Sequence, residues 1–241
     1  MSLGFTKSQV ALILVAGPLA GVIGQPYFGI CSDQCRSPYG KRRPFIVIGT
    51  VFTIIAMLGL AWVKEIVQSV LEIFTPNGEP DTMRSAVMTL SVGFVFLLNF
   101  AIQPIQSGLR SLIVDSCPPN QLNDANAWAS RMIGMSNVAC YGIGFFDLPK
   151  RWSIFIETQF KALCLLASLG LAVSIAINCW MIKERNSSLD PRLNVEVHTL
   201  LGKMRHFCSG FRRVSPQIMR VCHIQCFAWI GWFLFYCYIT M

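Results

Sequence analysis

The chain has 241 residues, is 54% hydrophobic and only 13% charged, and carries a formal net charge of +8. A soluble domain holds about 25% charged residues, roughly twice this share. With a mean hydropathy of +0.53, the composition excludes an ordinary soluble globular domain and points to an all-α polytopic membrane protein.

In chain order, the apolar runs predict spans at about 9–30, 45–63, 86–107, 125–146 and 160–182, and a last one from 221 to the terminal Met241. Each is near the roughly 20 residues that cross a bilayer core. No basic leader with a following cleavage site precedes the first run. That run holds Gly17 and Gly21 in a G-x-x-x-G face, and Pro18 and Pro26, which remove helix hydrogen bonds. The 125–146 run contains Arg131 and Asn137. Its Ser130, Gly134, Asn137 and Tyr141 recur at steps of three or four, a stripe suited to helix packing or to lining a cavity.

The charges fix an expected orientation. The loop 31–44 carries Arg36, Lys41, Arg42 and Arg43 against Asp33. The segment 183–220 carries eight basic residues against Glu184, Asp190 and Glu196. Between the second and third spans, Lys64 and Arg84 face Glu65, Glu72, Glu79 and Asp81. Strict alternation puts both basic loops on one side, which the positive-inside rule makes the cytoplasm. This accounts for the net charge without a nucleic-acid partner; the bilayer itself is the implied surroundings. Asn186-Ser187-Ser188 has the glycosylation pattern but falls on that cytoplasmic side. Within 183–220, Leu193, Val197, Leu200, Leu201, Met204 and Phe207 recur at helical spacing, as in an amphipathic helix on the inner leaflet or by chance in a linker.

Polar groups inside a bilayer are costly and mark candidate sites. In the third span Asn99, Gln103, Gln106 and Arg110 fall on one helical face, followed by Asp115. Three amides and a guanidinium suit a hydroxyl-rich or anionic ligand; alternatively Arg110 snorkels at the membrane border. Arg131 is expected to pair with Asp115 or Asp124, because an unpaired arginine at its depth costs about 3 kcal/mol or more. Cys222-His223-Ile224-Gln225-Cys226 lacks the four ligands usual for a metal site. Most of the ten cysteines counted fall in apolar runs, where cysteine acts as a small hydrophobe. Neither a metal nor a cofactor is expected, and no catalytic constellation suggests an enzyme.

Several separated motifs carry a family likeness. Gly29-Ile-Cys-Ser-Asp33, continued by Gly40-Lys41-Arg42-Arg43-Pro44-Phe45, resembles the signature loop of the major facilitator superfamily in the form used by its sucrose-type branch, the glycoside:cation symporters of plants and fungi. Ala16-Gly17-Pro18-Leu19 with Gln25-Pro26, Arg110-Ser-Leu-Ile-Val-Asp115, Ala125-Asn126-Ala127-Trp128 with Asn137 and Tyr141-Gly142, and Phe227-Ala-Trp-Ile-Gly-Trp-Phe233 resemble that branch in order, and the wording is most like fungal alpha-glucoside permeases.

The resemblance implies a partial major facilitator fold, with these six spans standing for helices two to seven of twelve. Residues 1–182 would form the N-terminal bundle, 183–220 the central loop and 221–241 the start of the second bundle. It implies transport of a sucrose- or maltose-like disaccharide with a proton by alternating access, in the plasma membrane or a vacuolar one. Arg110 stands where the family has its coupling arginine, with Asn99, Gln103, Gln106 and Asn137 as further substrate or proton-coupling candidates. Gly29, Asp33, Gly40, Lys41, Arg42, Arg43, Asp115 and Arg131 would form the cytoplasmic gate. Two departures stand out. The plant branch has an acid about eleven residues before its membrane arginine, where this chain has Asn99, which exchanges no proton. The first helix and helices eight to twelve have no counterpart, so the alternative expectation is a truncated, non-transporting membrane protein that associates with a full-length relative or with itself.

Overall fold

A computed structural model describes residues 7–74, 80–145, 158–182, 184 and 215–240. Among these, the structure is α-helical: α1 (Lys7–Asp33), α2 (Arg43–Ala61), α3 (Val63–Phe74), α4 (Pro80–Ser116), α5 (Leu122–Phe145), α6 (Gln159–Met181) and α7 (Pro216–Thr240). Five of them are long and apolar enough to cross a membrane, namely the stretches Ile13–Asp33, Arg43–Ala61, Asp81–Ser116, Gln159–Met181 and Pro216–Phe235. α5 equals them in length with 24 residues but is less apolar, since Asn123, Asp124, Asn126, Arg131 and Asn137 fall within it. The amphipathic helix expected at 193–207 lies outside the described residues.

The chain divides into two compact units, residues 16–189 and residues 1–15 with 190–241. In the second, α7 presents Trp229, Trp232, Phe233 and Leu234 as exposed side chains. Trp229 and Phe233 lie one turn apart, ring centroids 6.0 Å from each other.

The larger unit is held by close approach of helices at small residues. α2 and α4 run antiparallel, with Gly108 against Ile46, Gly49 against Pro104 and Ile105, and Gly59 under the Phe94 ring. Lipid tails are as apolar as leucine, so helices in a bilayer associate through such tight packing rather than through hydrophobic expulsion. Ile46, Ile105 and Ile175 join α2, α4 and α6 in one core, flanked by Leu109, Leu171 and Cys179.

Local chemistry sets the ends. α2 starts at Arg42–Arg43, where Pro44 supplies a pre-set φ, and it stops at Trp62, whose N–H closes onto the Leu58 carbonyl. α6 starts on Thr158, whose side chain accepts from the Lys161 N–H. α4 has 37 residues; at about 1.5 Å per residue it exceeds a hydrocarbon core of about 30 Å and projects beyond it.

The reading from apolar runs left 64–84 as a connection, and the structure corrects this. Val63, Ile66, Val67, Val70 and Leu71 share one face of α3, with Lys64, Glu65, Gln68 and Glu72 opposite. Val63 and Val67 are buried. Twelve residues are too few to span a membrane, so a search for long runs passes over this helix.

Gly108 and Gly93 lie on the same helix, but a Cβ on Gly108 would stand 2.6 Å from Ile46, whereas one on Gly93 meets nothing within 4 Å. Gly108→Ala therefore lowers stability by about 1–3 kcal/mol through overpacking, while Gly93→Ala causes no loss. Thermal unfolding of the detergent-solubilised chain checks both.

Candidate functional site

The charged loop between α1 and α2 closes on a single side chain. Ser37 starts the turn, accepting from the Tyr39 N–H on its hydroxyl and from the Gly40 N–H on its carbonyl. Gly40 has φ +113°, the left-handed region that glycine occupies without strain. The chain then delivers Arg42, only 7% exposed, to the meeting point of several helix ends.

Arg42 Nη2 lies 2.5 Å from Asp33 Oδ1 at the end of α1, and its Nε 3.1 Å from Asp115 Oδ2 at the end of α4. Its Nη1 donates to Ser32 Oγ at 2.5 Å, and Ser32 in turn donates to the Gly29 carbonyl at 2.9 Å. The Arg42 backbone N–H donates to Glu184 Oε2 at 3.0 Å, just past α6. One residue thus ties the ends of α1, α4 and α6 to the start of α2.

Electrostatics favour this arrangement. Asp33 and Asp115 lie at helix C-termini, where the macrodipole is already negative, and the guanidinium offsets both. Glu184 faces the positive N-terminus of α2. The Arg42 fork serves two carboxylates at once, which a lysine's point charge does not reproduce. Both acids stay about half exposed, at 60% and 49%, so solvent screens the pairing and leaves it reversible.

The other expected residues of this end fall as follows. Lys41 and Arg43 are half-buried beside Arg42. Arg43 Nε and Nη2 are buried without a hydrogen-bond partner. Gly29 is not a tight contact, since a Cβ there would meet Ser107 Oγ at an ordinary 3.5 Å. Arg131 departs from the expected ion pair. Its guanidinium lies 5.1 Å from the Trp128 ring centroid, one turn back on α5, a cation–π contact. The physical reason is geometric: Asp115 is engaged by Arg42, and Asp124 lies two turns, about 10 Å, away along the helix.

The polar face of α4 meets α1 rather than open space. The two helices run parallel, with Gly17 opposite Asn99, Gly24 against Gln103 and Gly29 beside Ser107. The close approach uses Gly17 and Gly24, not the expected Gly17 and Gly21, because seven residues return to the same stripe; Gly21 has open space around it. Asn99 donates to the Val95 carbonyl at 2.8 Å and Gln103 to the Asn99 carbonyl at 2.9 Å. Gln103 is 4% exposed, yet its Oε1 has no partner. Gln25 of α1 donates to Gln106 Oε1 at 3.3 Å, and Ser107 donates to the Gln25 carbonyl at 3.4 Å. Gln106 and Arg110 are exposed further along this face. Asn137 is exposed on α5, and no hydrogen bond joins it to that face among the described residues.

Sequence reasoning missed Gln25 and Glu184, whose partners are remote in sequence, Ser32, whose partner Arg42 lies across the loop, and also a second charged cluster at the opposite end of α2. There Lys161, 8% exposed in the first turn of α6, pairs with Glu65 of α3 and lies 5.7 Å from the Trp62 ring centroid. The hydrogen bond from Lys161 holds the Glu65 carboxyl below its ordinary value of 4.5. Among the described residues, no group of three His, Cys, Asp or Glu is placed to hold a metal ion.

These features define an integral membrane helix bundle cross-tied by charge at the α1–α2 loop. Residues 2–115, which include the loop and Asp115, match the family model described as MFS/sugar transport protein. A general alpha-glucoside permease of Schizosaccharomyces pombe is 33% identical over 243 residues, covering 99% of this chain and 42% of that protein. A sucrose transport protein of Arabidopsis thaliana is 29% identical over 76% of this chain and 32% of its own length. One from Oryza sativa subsp. japonica is 25% identical over 99% of this chain and 47% of its own. Over nearly its whole length the chain is similar to these sugar transport proteins. It spans less than half the length of these relatives.

Two measurements check the charged clusters. Arg42→Ala lowers stability by about 1–3 kcal/mol, scaled down from a fully buried pair because both acids are half exposed; Arg42→Lys recovers only part of this in thermal unfolding. For Glu65, the depressed carboxyl contributes stability that is present above its ordinary value of 4.5 and lost as pH falls through its lower folded value. Glu65→Gln therefore flattens the acid limb of the stability–pH curve while leaving the rest of its shape intact.

Proposed function

We propose that this chain supplies the N-terminal bundle of a transporter that moves a sucrose- or maltose-like alpha-glucoside with a proton by alternating access. The observation that carries this reading is the Arg42 junction, in a chain 33% identical over nearly its whole length to an alpha-glucoside permease. An arginine shared by two half-exposed carboxylates is strong enough to hold helix ends together and weak enough to release them. That is what a gate requires.

In this reading Arg42, with Gly29, Asp33, Gly40, Lys41, Arg43, Asp115 and Arg131 around it, forms the cytoplasmic gate, and the loops 31–44 and 183–220 face the cytoplasm of a cell bounded by the plasma membrane. Arg110 binds or couples, flanked by Gln106, Gln103 and Asn99, with Asn137 contributed from α5. The unpaired Gln103 oxygen supports an acceptor for a sugar hydroxyl. Asn99 exchanges no proton, so coupling runs through another group. Residues 183–220 connect to a second bundle that opens at 221–241.

A second reading has one observation behind it. On α5, Trp128, Ile133, Met135 and Tyr141 are exposed. A non-transporting protein that packs on a full-length relative or on itself would use such faces.

Uptake of labelled sucrose and maltose into yeast lacking its own carriers separates the two. Uptake above empty vector that a protonophore abolishes is the expected outcome; none despite correct membrane insertion overturns the transport reading for this chain. Arg110→Lys cuts that uptake at least about tenfold with surface expression intact, because lysine lacks the fork of donors. Normal uptake in that variant removes Arg110 from the coupling role.

A further inference from the structure

We infer that Glu184 is a positioning residue: it pins the Gly40–Arg42 turn so that the Arg42 guanidinium reaches Asp33 and Asp115 together. Three observations support it. The Arg42 N–H donates to Glu184 Oε2 at 3.0 Å. Gly40 lies flat against the same side chain, where a Cβ would stand 2.8 Å from the Glu184 Cβ and Cδ and collide with its carboxylate oxygen. And α2 has no side-chain cap of its own: Arg42 occupies the cap position, but it is a donor whose guanidinium is engaged by Asp33, Asp115 and Ser32.

The start of α2 therefore needs an acceptor from elsewhere, and Glu184 provides one across 142 residues of sequence. The placement also matches the field. A carboxylate at a helix N-terminus is favourable, and this one stands beside Arg42 and Arg43. With Glu184 in place, the left-handed Gly40 and the Arg42 backbone are fixed, and the guanidinium is aimed before it meets either acid. Without it, the turn is free to swing and the fork loses its aim at one carboxylate. Glu184 lies just past the end of α6, so movement of that helix end loads or releases the Arg42 junction.

The meaning of this for a gate rests on the proposed function, but the pinning itself does not. The test is limited trypsin digestion of the full chain in detergent micelles, reading cleavage after Arg42 by fragment mass. Arg43 precedes Pro44 and is spared. Glu184→Ala removes the acceptor and should speed that cut roughly tenfold, the effect of losing one charge-assisted hydrogen bond from a local opening equilibrium. Glu184→Gln keeps an oxygen for the Arg42 N–H but loses the charge, and should fall between wild type and Glu184→Ala. Cuts after Lys64 and Arg84, far along the chain, should not change.

Gly40→Ala approaches the contact from the other side. It should also speed the cut, and with Glu184→Ala the combined acceleration should be less than the product of the two, because both disrupt one contact. The inference is overturned by an unchanged rate in Glu184→Ala, by equal acceleration in Glu184→Gln, by a parallel rise at Lys64 and Arg84, or by a double variant that multiplies. The assay contains no sugar and no uptake, so its failure and a failure of transport are read separately.

Discussion

The structure of this bundle turns on one buried guanidinium. Arg42 must be charged, and a charge taken out of water needs partners. It finds two carboxylates and a hydroxyl, from α1 and α4, while its own backbone binds past α6. Each partner is itself at a helix end with an uncompensated dipole. Opposite charges and opposite dipoles are thus satisfied by the same contacts, and four chain ends are brought into register by a single residue.

The helix surfaces further in have to allow that convergence. Helix ends meet only if the helices approach closely, and here glycine makes the approach. Gly49, Gly59 and Gly108 close the α2–α4 contact, and Gly17 and Gly24 close α1 on α4. The second contact is polar as well as tight. Asn99 and Gln103 give their donors to carbonyls one turn back on their own helix, which costs no partner from outside. Their acceptor oxygens are what remain. In a bilayer an amide oxygen without a partner is expensive, so the Gln103 oxygen is a polar group held at a cost that packing alone does not explain.

Much of this was legible in the sequence, and the misses have physical causes. Long apolar runs gave the spanning helices, since a bilayer imposes length and hydropathy together. The loop Gly29–Pro44 was legible because glycine, an acid and clustered basic residues at set spacing have few other uses between two apolar segments. α3 was not, because its twelve residues alternate apolar and polar with helical period and never form a run. Glu184 looked like one more charge after a span; its partner is fixed by tertiary approach, which no local pattern encodes. Arg131 was read as needing an acid, on the cost of a bare charge. An aromatic face one turn away met that need, and Asp115 had a stronger claim elsewhere. The cluster of Lys161, Glu65 and Trp62 was missed for the same reason as Glu184.

The two charged clusters share a plan, and the number of partners at Arg42 bears on motion. Each has a cation more than nine-tenths buried and a carboxylate about half exposed. Lys161 pairs with Glu65 and lies against the Trp62 ring. Arg42 has two acids and a hydroxyl, so either acid can leave while the other still compensates the charge. Separation at the Arg42 end therefore proceeds in steps, each smaller than the loss of a whole buried pair. A bundle that hinges at this end parts there one partner at a time, and this follows from the number of partners rather than from the strength of any one of them.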